Sequence, residues 1–442
     1  MRTRFIGLLM VFAVITTAAC GNSDDDDAAD SGSSDSSAPA ETGDGEKVPV
    51  DQPGVTDDTI RVGGFASVTN ILNGPYGSAF DGVDAYFDRV NDAGGMYGRK
   101  LELVARHDDA MGASQQKINE LLTRDNVFAV LPVATLLFNG AQRLADERVP
   151  TFGWNIQKEW ALGDNFFGDK GSYLCTDCAD TFQVAIWMAN QVDAKQMAVT
   201  AYSVDQSREC GEGLVKGIKT MDNTPELAFQ DLSIEFGVRD LSTQVKRMKD
   251  KGVDFVATCM DQNGVVTLAN EMRKQGLAVP MFLPNAYDQK FLAKQGDVLE
   301  GSFVLIEFTP FELPKDEKPK GLLEFEQTMK DAGKEDSINE IGLAGWLSAD
   351  MFVKGLQGAG PNFTRDKVIE SLNKIKDYTA DGILPGIDWS IEHKKAAPLL
   401  CNAIVQVEEG GKLKPAFTEP GKPFICFKSG ATAIPEEPAA RK

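Results

Sequence analysis

Seven cysteines, two histidines and several adjacent carboxylates are the residues whose types and spacing could do chemistry in this 442-residue chain. Cys20 ends an apolar leader, which leaves the even set Cys175, Cys178, Cys210, Cys259, Cys401 and Cys426. In an exported protein an even set reads first as disulfides, with fifteen pairings open to six cysteines. Spacing favours Cys175 with Cys178, Cys210 with Cys259, and Cys401 with Cys426, the middle pair because both its cysteines fall just past the carboxyl ends of strands. A zinc site would want a second Cys-x-x-Cys pair, and only His107 and His393 are at hand. A redox-active Cys175 and Cys178 is a further alternative. For catalysis there is no Gly-x-Ser-x-Gly elbow, no Walker loop and no His-Glu-x-x-His, and two histidines offer little general-base capacity. The run Gly211 to Gly217 (GEGLVKG) invites a dinucleotide reading, but its third glycine comes one place late, so close packing of a helix start is the simpler account. Asp108 and Asp109 read as a solvated loop or helix cap, and the histidines as surface or structural residues. No enzymatic activity, metal or cofactor is expected.

Location narrows the choice further. Arg2 and Arg4 precede the apolar run Phe5 to Ile15, and Ala18 and Ala19 follow, the layout of an export signal. The run is shorter than the roughly 20 apolar residues that span a bilayer. Thr17-Ala18-Ala19-Cys20 resembles a bacterial lipoprotein lipobox, which implies a signal peptide over residues 1–19 and a lipidated Cys20. The alternative is an ordinary cleaved signal with an incidental cysteine. Up to Lys47 the chain is mostly Asp, Ser, Ala, Gly and Thr, too poor in apolar side chains to repay its ordering entropy. Residues 20–47 therefore read as an acidic, disordered tether, or alternatively as an acidic interaction tail, and residues 429–442 as a flexible tail. Setting aside the two leader arginines and the nine acids and one lysine of residues 21–47 reduces the net charge of −21 to −15 over residues 48–442. Nucleic acid is a poor partner for such a surface. The expected place is extracytoplasmic, on the outer face of the cell membrane and held there by the lipid.

The elements that must position any site alternate strand and helix. Thr59 to Phe65 (TIRVGGF) is β-rich; Phe80, Val83, Phe87 and Val90 recur at helical spacing until Ala93-Gly94-Gly95. Leu101 to Ala105 follows as a strand, Ile118, Leu121 and Leu122 as a helix, and Val127 to Leu131 (VFAVL) as a strand buried on both faces. The rhythm restarts at Met197 to Tyr202 (MAVTAY) and continues through Leu227 to Ile234, Asp254 to Thr258 and Met281 to Leu283. The expected fold is α/β with two lobes, each a parallel sheet flanked by helices. Ligands of such sheets bind at the carboxyl ends of strands. Those ends place Ser67, Thr69, Tyr76, Trp154, Asn155, Tyr202, Asp205, Gln262, Asn285 and Tyr287 as cleft candidates, with loop packing as the plainer role of each. Trp154 and Tyr202 could sandwich an apolar or aromatic ligand. Trp187, Trp346 and Trp389 read as core.

Asn91 to Leu103 (NDAGGMYGRKLEL), Asp108-Asp109, Leu131-Pro132-Val133, Val149-Pro150, Cys210 to Leu214 (CGEGL) and Gly296-Asp297 to Glu300-Gly301 together resemble the type I periplasmic-binding-protein family, specifically the branched-chain amino acid receptor group of ABC importers. The resemblance covers roughly residues 58–408. It implies three crossovers between lobes, with lobe 1 over 58–178 and 300–375 and lobe 2 over 179–299 and 376–428. It also implies a small amino acid or related organic ligand, an ABC permease as partner, and a monomer. By the family's pattern Thr135 would grip the ligand carboxylate. Gln157 stands where a second hydroxyl is usual, Cys210 where an aromatic is, and Gly264 where an acid pairs with the ligand ammonium; Asp261 is the nearest carboxylate. A buried ammonium without a counter-charge would cost several kcal/mol, so either Asp261 serves or the ligand is not an α-amino acid. Two other readings are a ligand-sensing or interaction module on the same fold and an extracytoplasmic hydrolase.

Overall fold

A computed structural model describes residues 47–72, 74–171, 182–395 and 400–427 of the chain. The leader, Cys20, the acidic stretch up to residue 46, the Cys175 and Cys178 pair and residues 429–442 lie outside the described residues.

Strand β1 (Thr59–Ala66) buries Ile60, Val62 and Phe65. Helix α1 (Ser78–Asp92) buries Phe80, Val83, Phe87 and Val90, the stripe expected from their spacing. The helix is stopped at Gly95, whose N–H bonds Val90 O at 2.9 Å with φ of 74°. A side chain there would collide with Arg99 O, which lies 2.2 Å from where its Cβ would stand, so only glycine fits. Asn91 then clips the helix end to β2 (Lys100–Asp108): its Nδ2 donates to Leu101 O at 2.9 Å and its Oδ1 accepts from Leu101 N at 2.8 Å. The motif that carries the family resemblance is thus a helix-to-strand turn. Helix α2 (Ser114–Thr123), β3 (Ala129–Ala134), α3 (Ala141–Asp146), β4 (Thr151–Gly153) and β5 (Phe166–Gly168) complete a parallel sheet of order β2-β1-β3-β4-β5.

The chain then crosses to a second sheet through α4 (Gln183–Gln191), β6 (Gln196–Tyr202), α5 (Asp205–Thr220), β7 (Glu226–Ile234), α6 (Ser242–Asp250), β8 (Phe255–Thr258), α7 (Gln262–Gln275), β9 (Met281–Leu283), α8 (Gln289–Leu299) and β10 (Phe303–Ile306). It returns to the first sheet for α9 (Lys320–Asp331), α10 (Glu340–Ala359), α11 (Arg365–Leu372) and α12 (Trp389–Lys395). A third passage leads to β11 (Cys401–Val407), β12 (Leu413–Ala416) and β13 (Ile425–Cys426). The second sheet runs β12-β11-β10-β9-β8-β6-β7, parallel from β10 to β7 and antiparallel at β11 and β12. The chain therefore passes between the sheets three times. Among the described residues no helix is long and apolar enough to cross a membrane.

The passages fall elsewhere than expected at two points. β10 pairs with β9 and β11, so residues 303–306 belong to the second sheet rather than to lobe 1. Residues 376–395 stay with the first lobe: the Trp389 ring lies 5.0 Å from Phe167 of β5, and Tyr378 Oη donates at 2.6 Å to Asp350 of α10. Tyr86 of α1 donates to the other oxygen of that carboxylate at 2.7 Å, which seats α10 on α1. Open sheet edges and buried polar partners decide such boundaries, and both are non-local.

Among the described residues two disulfides are formed, Cys210–Cys259 and Cys401–Cys426, the latter between directly paired residues of β11 and β13. Cys259 follows β8, but Cys210 lies inside α5 rather than just past a strand. The run Gly211 to Gly217 is likewise the interior of α5, where a Cβ on Gly211 would come within 2.8 Å of Ala201 in β6. Close packing is its role, in mid-helix rather than at a helix start.

Candidate ligand site between the lobes

At the carboxyl ends of the first sheet the polar residues turn inward. Asp109, expected in a solvated loop or cap, is fully buried. It accepts from Ser67 Oγ at 2.7 Å, from the Thr135 hydroxyl and from Met111 N at 3.0 Å, which ties together the loops after β1, β2 and β3. Gln157 donates to Thr135 O at 2.6 Å and accepts from Trp160 Nε1 at 3.1 Å. Asn155 donates to Gly171 O at 2.7 Å and accepts from Lys170 N at 2.9 Å. Ser67, Thr135, Asn155 and Gln157 are all buried and spend their polar atoms on the protein itself. Thr69 is exposed on the rim, its N–H on the Asp108 carboxylate at 3.1 Å. Burial would raise the Asp108 pKa, but hydrogen bonds from Thr69, Ala110 and Val68 outweigh it and hold the group below its usual value.

The groups that face the second lobe are others. Tyr76, in the loop before α1, lies 5.9 Å from Trp154 between ring centroids. Lys170, just past β5, sits 6.0 Å over the Trp154 ring, donates to Glu307 beyond β10 at 2.8 Å, and is 3.6 Å from Glu340 at the start of α10. Burial disfavours the lysine charge, yet Glu307, Glu340 and Asp169 together raise its pKa above the ordinary value. Asp169 is 6% exposed and its Oδ1 has no hydrogen-bond partner. Burial, opposed by Lys170 and reinforced by Glu340 and Glu307, pushes its pKa up to about 7. Burial also raises the Glu340 pKa, with Lys170 opposing and Glu307 adding. The Trp154 indole N–H faces Glu340 without forming a normal hydrogen bond. Tyr76 holds its proton far more tightly than a free phenol, first through burial and then through the charges of Glu340, Asp261 and Asp288.

Asp169, Lys170, Glu307 and Glu340 were not among the sequence candidates. Asp169 and Lys170 directly follow a strand and could have been reached by the strand-end rule; nothing local marks Glu340.

On the second lobe, Tyr202 Oη donates to Asp261 Oδ1 at 2.5 Å, and Asp261 also caps α7 by accepting from Gly264 N at 3.0 Å. A Cβ on Gly264 would lie 2.1 Å from Tyr202 Oη. The phenol therefore occupies the space a side chain at Gly264 would fill, and Asp261 stands behind it. Burial raises the Tyr202 pKa, and the hydrogen bond to Asp261 adds to the effect. Phe236 packs edge-on against Tyr202 at 5.1 Å. Gln262 is half-buried at the first position of α7, while Asn285 and Asp205 are exposed. Tyr287 is buried between Phe308 and Phe311 and donates to Glu312 at 2.7 Å, so it belongs to the second passage between lobes. Among the described residues Val68, Ile71, Leu137, Val204 and Phe236 are exposed, and all five stand on loops that follow strand carboxyl ends. No group of three His, Cys, Asp or Glu side chains among the described residues is arranged to hold a metal ion.

A family model described as periplasmic binding protein matches residues 59–412. No curated protein matches the chain. Similar solved structures include a fatty acid ABC transporter substrate-binding protein from Thermomonospora curvata, 20% identical, with a TM-score of 0.69 over 88% of this chain and 96% of that one. A solute binding protein from Rhodopseudomonas palustris HaA2 in complex with p-hydroxybenzoic acid is 15% identical, with a TM-score of 0.67 over 83% and 98%. The branched-chain amino acid transporter substrate binding protein LivJ of Streptococcus pneumoniae, in complex with isoleucine, is 15% identical, with a TM-score of 0.63 over 81% and 98%. At such identities the likeness is one of fold.

Proposed function

We propose, for a chain that belongs to the periplasmic binding protein family, that it captures a small organic molecule between its two lobes and delivers it to an ABC permease, while a lipidated Cys20 holds it to the outer face of the membrane. The observation that carries this reading is the meeting of the two sheets' carboxyl ends: Lys170 after β5 reaches Glu307 after β10 at 2.8 Å, and Tyr76 of the first lobe feels Asp261 and Asp288 of the second.

A ligand resting on Tyr76 and Trp154 touches Tyr202 and the loop after β8 only when the lobes are closed. It therefore binds the closed form better and shifts the population toward it. A micromolar Kd requires only about 8 kcal/mol, within reach of aromatic contact plus a few buried polar bonds. In this reading Ser67, Thr135, Asn155 and Gln157 hold the loops in place and the aromatic and charged residues meet the ligand. The names of the proteins of like fold speak of fatty acids, p-hydroxybenzoic acid and isoleucine. One fold serves all of these, so the chemistry of this cleft selects its own ligand.

The test is mass spectrometry of small molecules released from the purified full chain, followed by small-angle scattering with and without the compound found. Compaction on binding that is lost in Trp154→Ala supports the reading. A released compound that binds without compaction, or whose binding ignores Trp154→Ala, refutes it.

A further inference from the structure

The cleft carries more acid than base. Asp169, Glu307 and Glu340 surround one lysine, and Asp261 and Asp288 add to the field at Tyr76 from the other lobe. Lys170 is the cation of this group, and it is already taken: Glu307 at 2.8 Å and Glu340 at 3.6 Å divide it. An anionic ligand would have to win it from two carboxylates. On the first sheet the Thr135 hydroxyl and the Gln157 amide, where the resemblance puts the carboxylate grip, are bound within the protein, and the Trp154 indole N–H faces the Glu340 carboxylate.

What the site does leave open is an acceptor. Asp169 Oδ1 is buried with no hydrogen bond, in the same group as Lys170, Glu340 and Glu307. A buried acceptor without a partner is costly unless something satisfies it. Its neighbour in the chain, Lys170, holds Nζ 6.0 Å from the Trp154 ring, which in turn lies 5.9 Å from Tyr76, so this aromatic face already carries a cation. The absence, among the described residues, of a three-ligand metal arrangement sets a bare metal ion aside. The exposed Val68, Ile71 and Leu137 on one rim, with Val204 and Phe236 on the other, suit an apolar body attached to the charge.

We propose that the cleft takes an organic cation, an amine or guanidine on an apolar body, seated on the Trp154 and Tyr76 rings against Asp169 and Glu340. The proposal rests on the solute-binding reading above. It departs from the amino acid expected of the resemblance, since the ammonium partner is the acid group at the end of β5 and the start of α10, and the Thr135 hydroxyl of the expected carboxylate grip is bound to Asp109.

The experiment is calorimetry on the full chain with matched compounds that share a body and differ in charge: 2-phenylethylamine, phenylalanine and 3-phenylpropanoate, and hexylamine, hexylguanidine and hexanoate. The expected result is that the amines and guanidine bind at least tenfold more tightly than their zwitterionic or anionic partners. Glu340→Gln, which keeps the shape, should then weaken cation binding at least tenfold while the melting temperature stays within a few degrees. Tighter binding of phenylalanine or of either carboxylate overturns the cation assignment and leaves the solute-binding reading standing. Equal affinity across charges, or cation binding untouched by both Glu340→Gln and Asp169→Asn, also overturns it. If no compound of any charge binds, the cation assignment fails; the solute-binding reading then stands or falls on the scattering experiment with the released compound.

Discussion

Replacing Asp169 with asparagine removes a buried titrating carboxyl with almost no change of shape. Burial is the main reason that its pKa is pushed from 3.8 up to about 7; Lys170 beside it opposes, while Glu340 from α10 and Glu307 from beyond β10 reinforce it, and the Tyr378 phenol lies within its field. The unfolded chain releases this proton near pH 4, whereas the folded chain keeps it until about pH 7. Between those values the folded state holds the extra proton, so stability is greatest at low pH, falls as the pH rises through the window, and levels off above it. A shift of about three units is worth roughly 4 kcal/mol at most, of which about 2.6 kcal/mol should be lost between pH 5 and pH 8. Denaturant unfolding of wild type and Asp169→Asn at pH 5, 6, 7 and 8 measures it directly. The difference between the two should move in the variant's favour by roughly 2–3 kcal/mol across that range, with a slope nearing 1.4 kcal/mol per pH unit at the acid end. Parallel stability profiles would refute the assignment of a buried, proton-holding carboxyl at this position.

Thr135→Val should lower stability by roughly 1.5–3 kcal/mol, because Asp109 loses a donor in a fully buried network, and it should leave ligand affinity unchanged in calorimetry. A loss of affinity at wild-type stability would return Thr135 to the cleft. Gly264→Ala should drive the Tyr202 phenol off Asp261, since the added carbon would lie 2.1 Å from Tyr202 Oη. Its expected result is at least tenfold weaker binding of the cognate ligand together with a lower melting temperature, and wild-type values for both would contradict the packing described.

The alternation of strand and helix was legible because its signals are local. A strand buried on both faces is a continuous apolar run, as at Val127 to Leu131 and Met197 to Tyr202, and a helix packed on a sheet shows its stripe at Phe80, Val83, Phe87 and Val90. The pairing of Cys401 with Cys426 followed from two short neighbouring strands, and that of Cys210 with Cys259 from proximity at one end of the second sheet, although a helix rather than a loop presents Cys210. The strand-end rule also named Tyr76, Trp154 and Tyr202, since the end of a sheet is defined by the elements themselves, whereas Asp261 was named through the family resemblance.

Which way a polar side chain turns at that end is another matter. Thr135 turns inward because Asp109, 26 positions earlier, is there to accept its hydroxyl. Asp261 stands behind a phenol because Gly264 leaves room for Tyr202, 59 positions before the acid. Lys170 is neutralised by Glu307, 137 positions away, and by a helix start that lies further still along the chain. Burial and Coulomb interaction act through space and carry no sequence period, so hydrophobic pattern determined the two-lobed framework, and only the tertiary structure decided which acids, rings and cation meet beyond the ends of the two sheets.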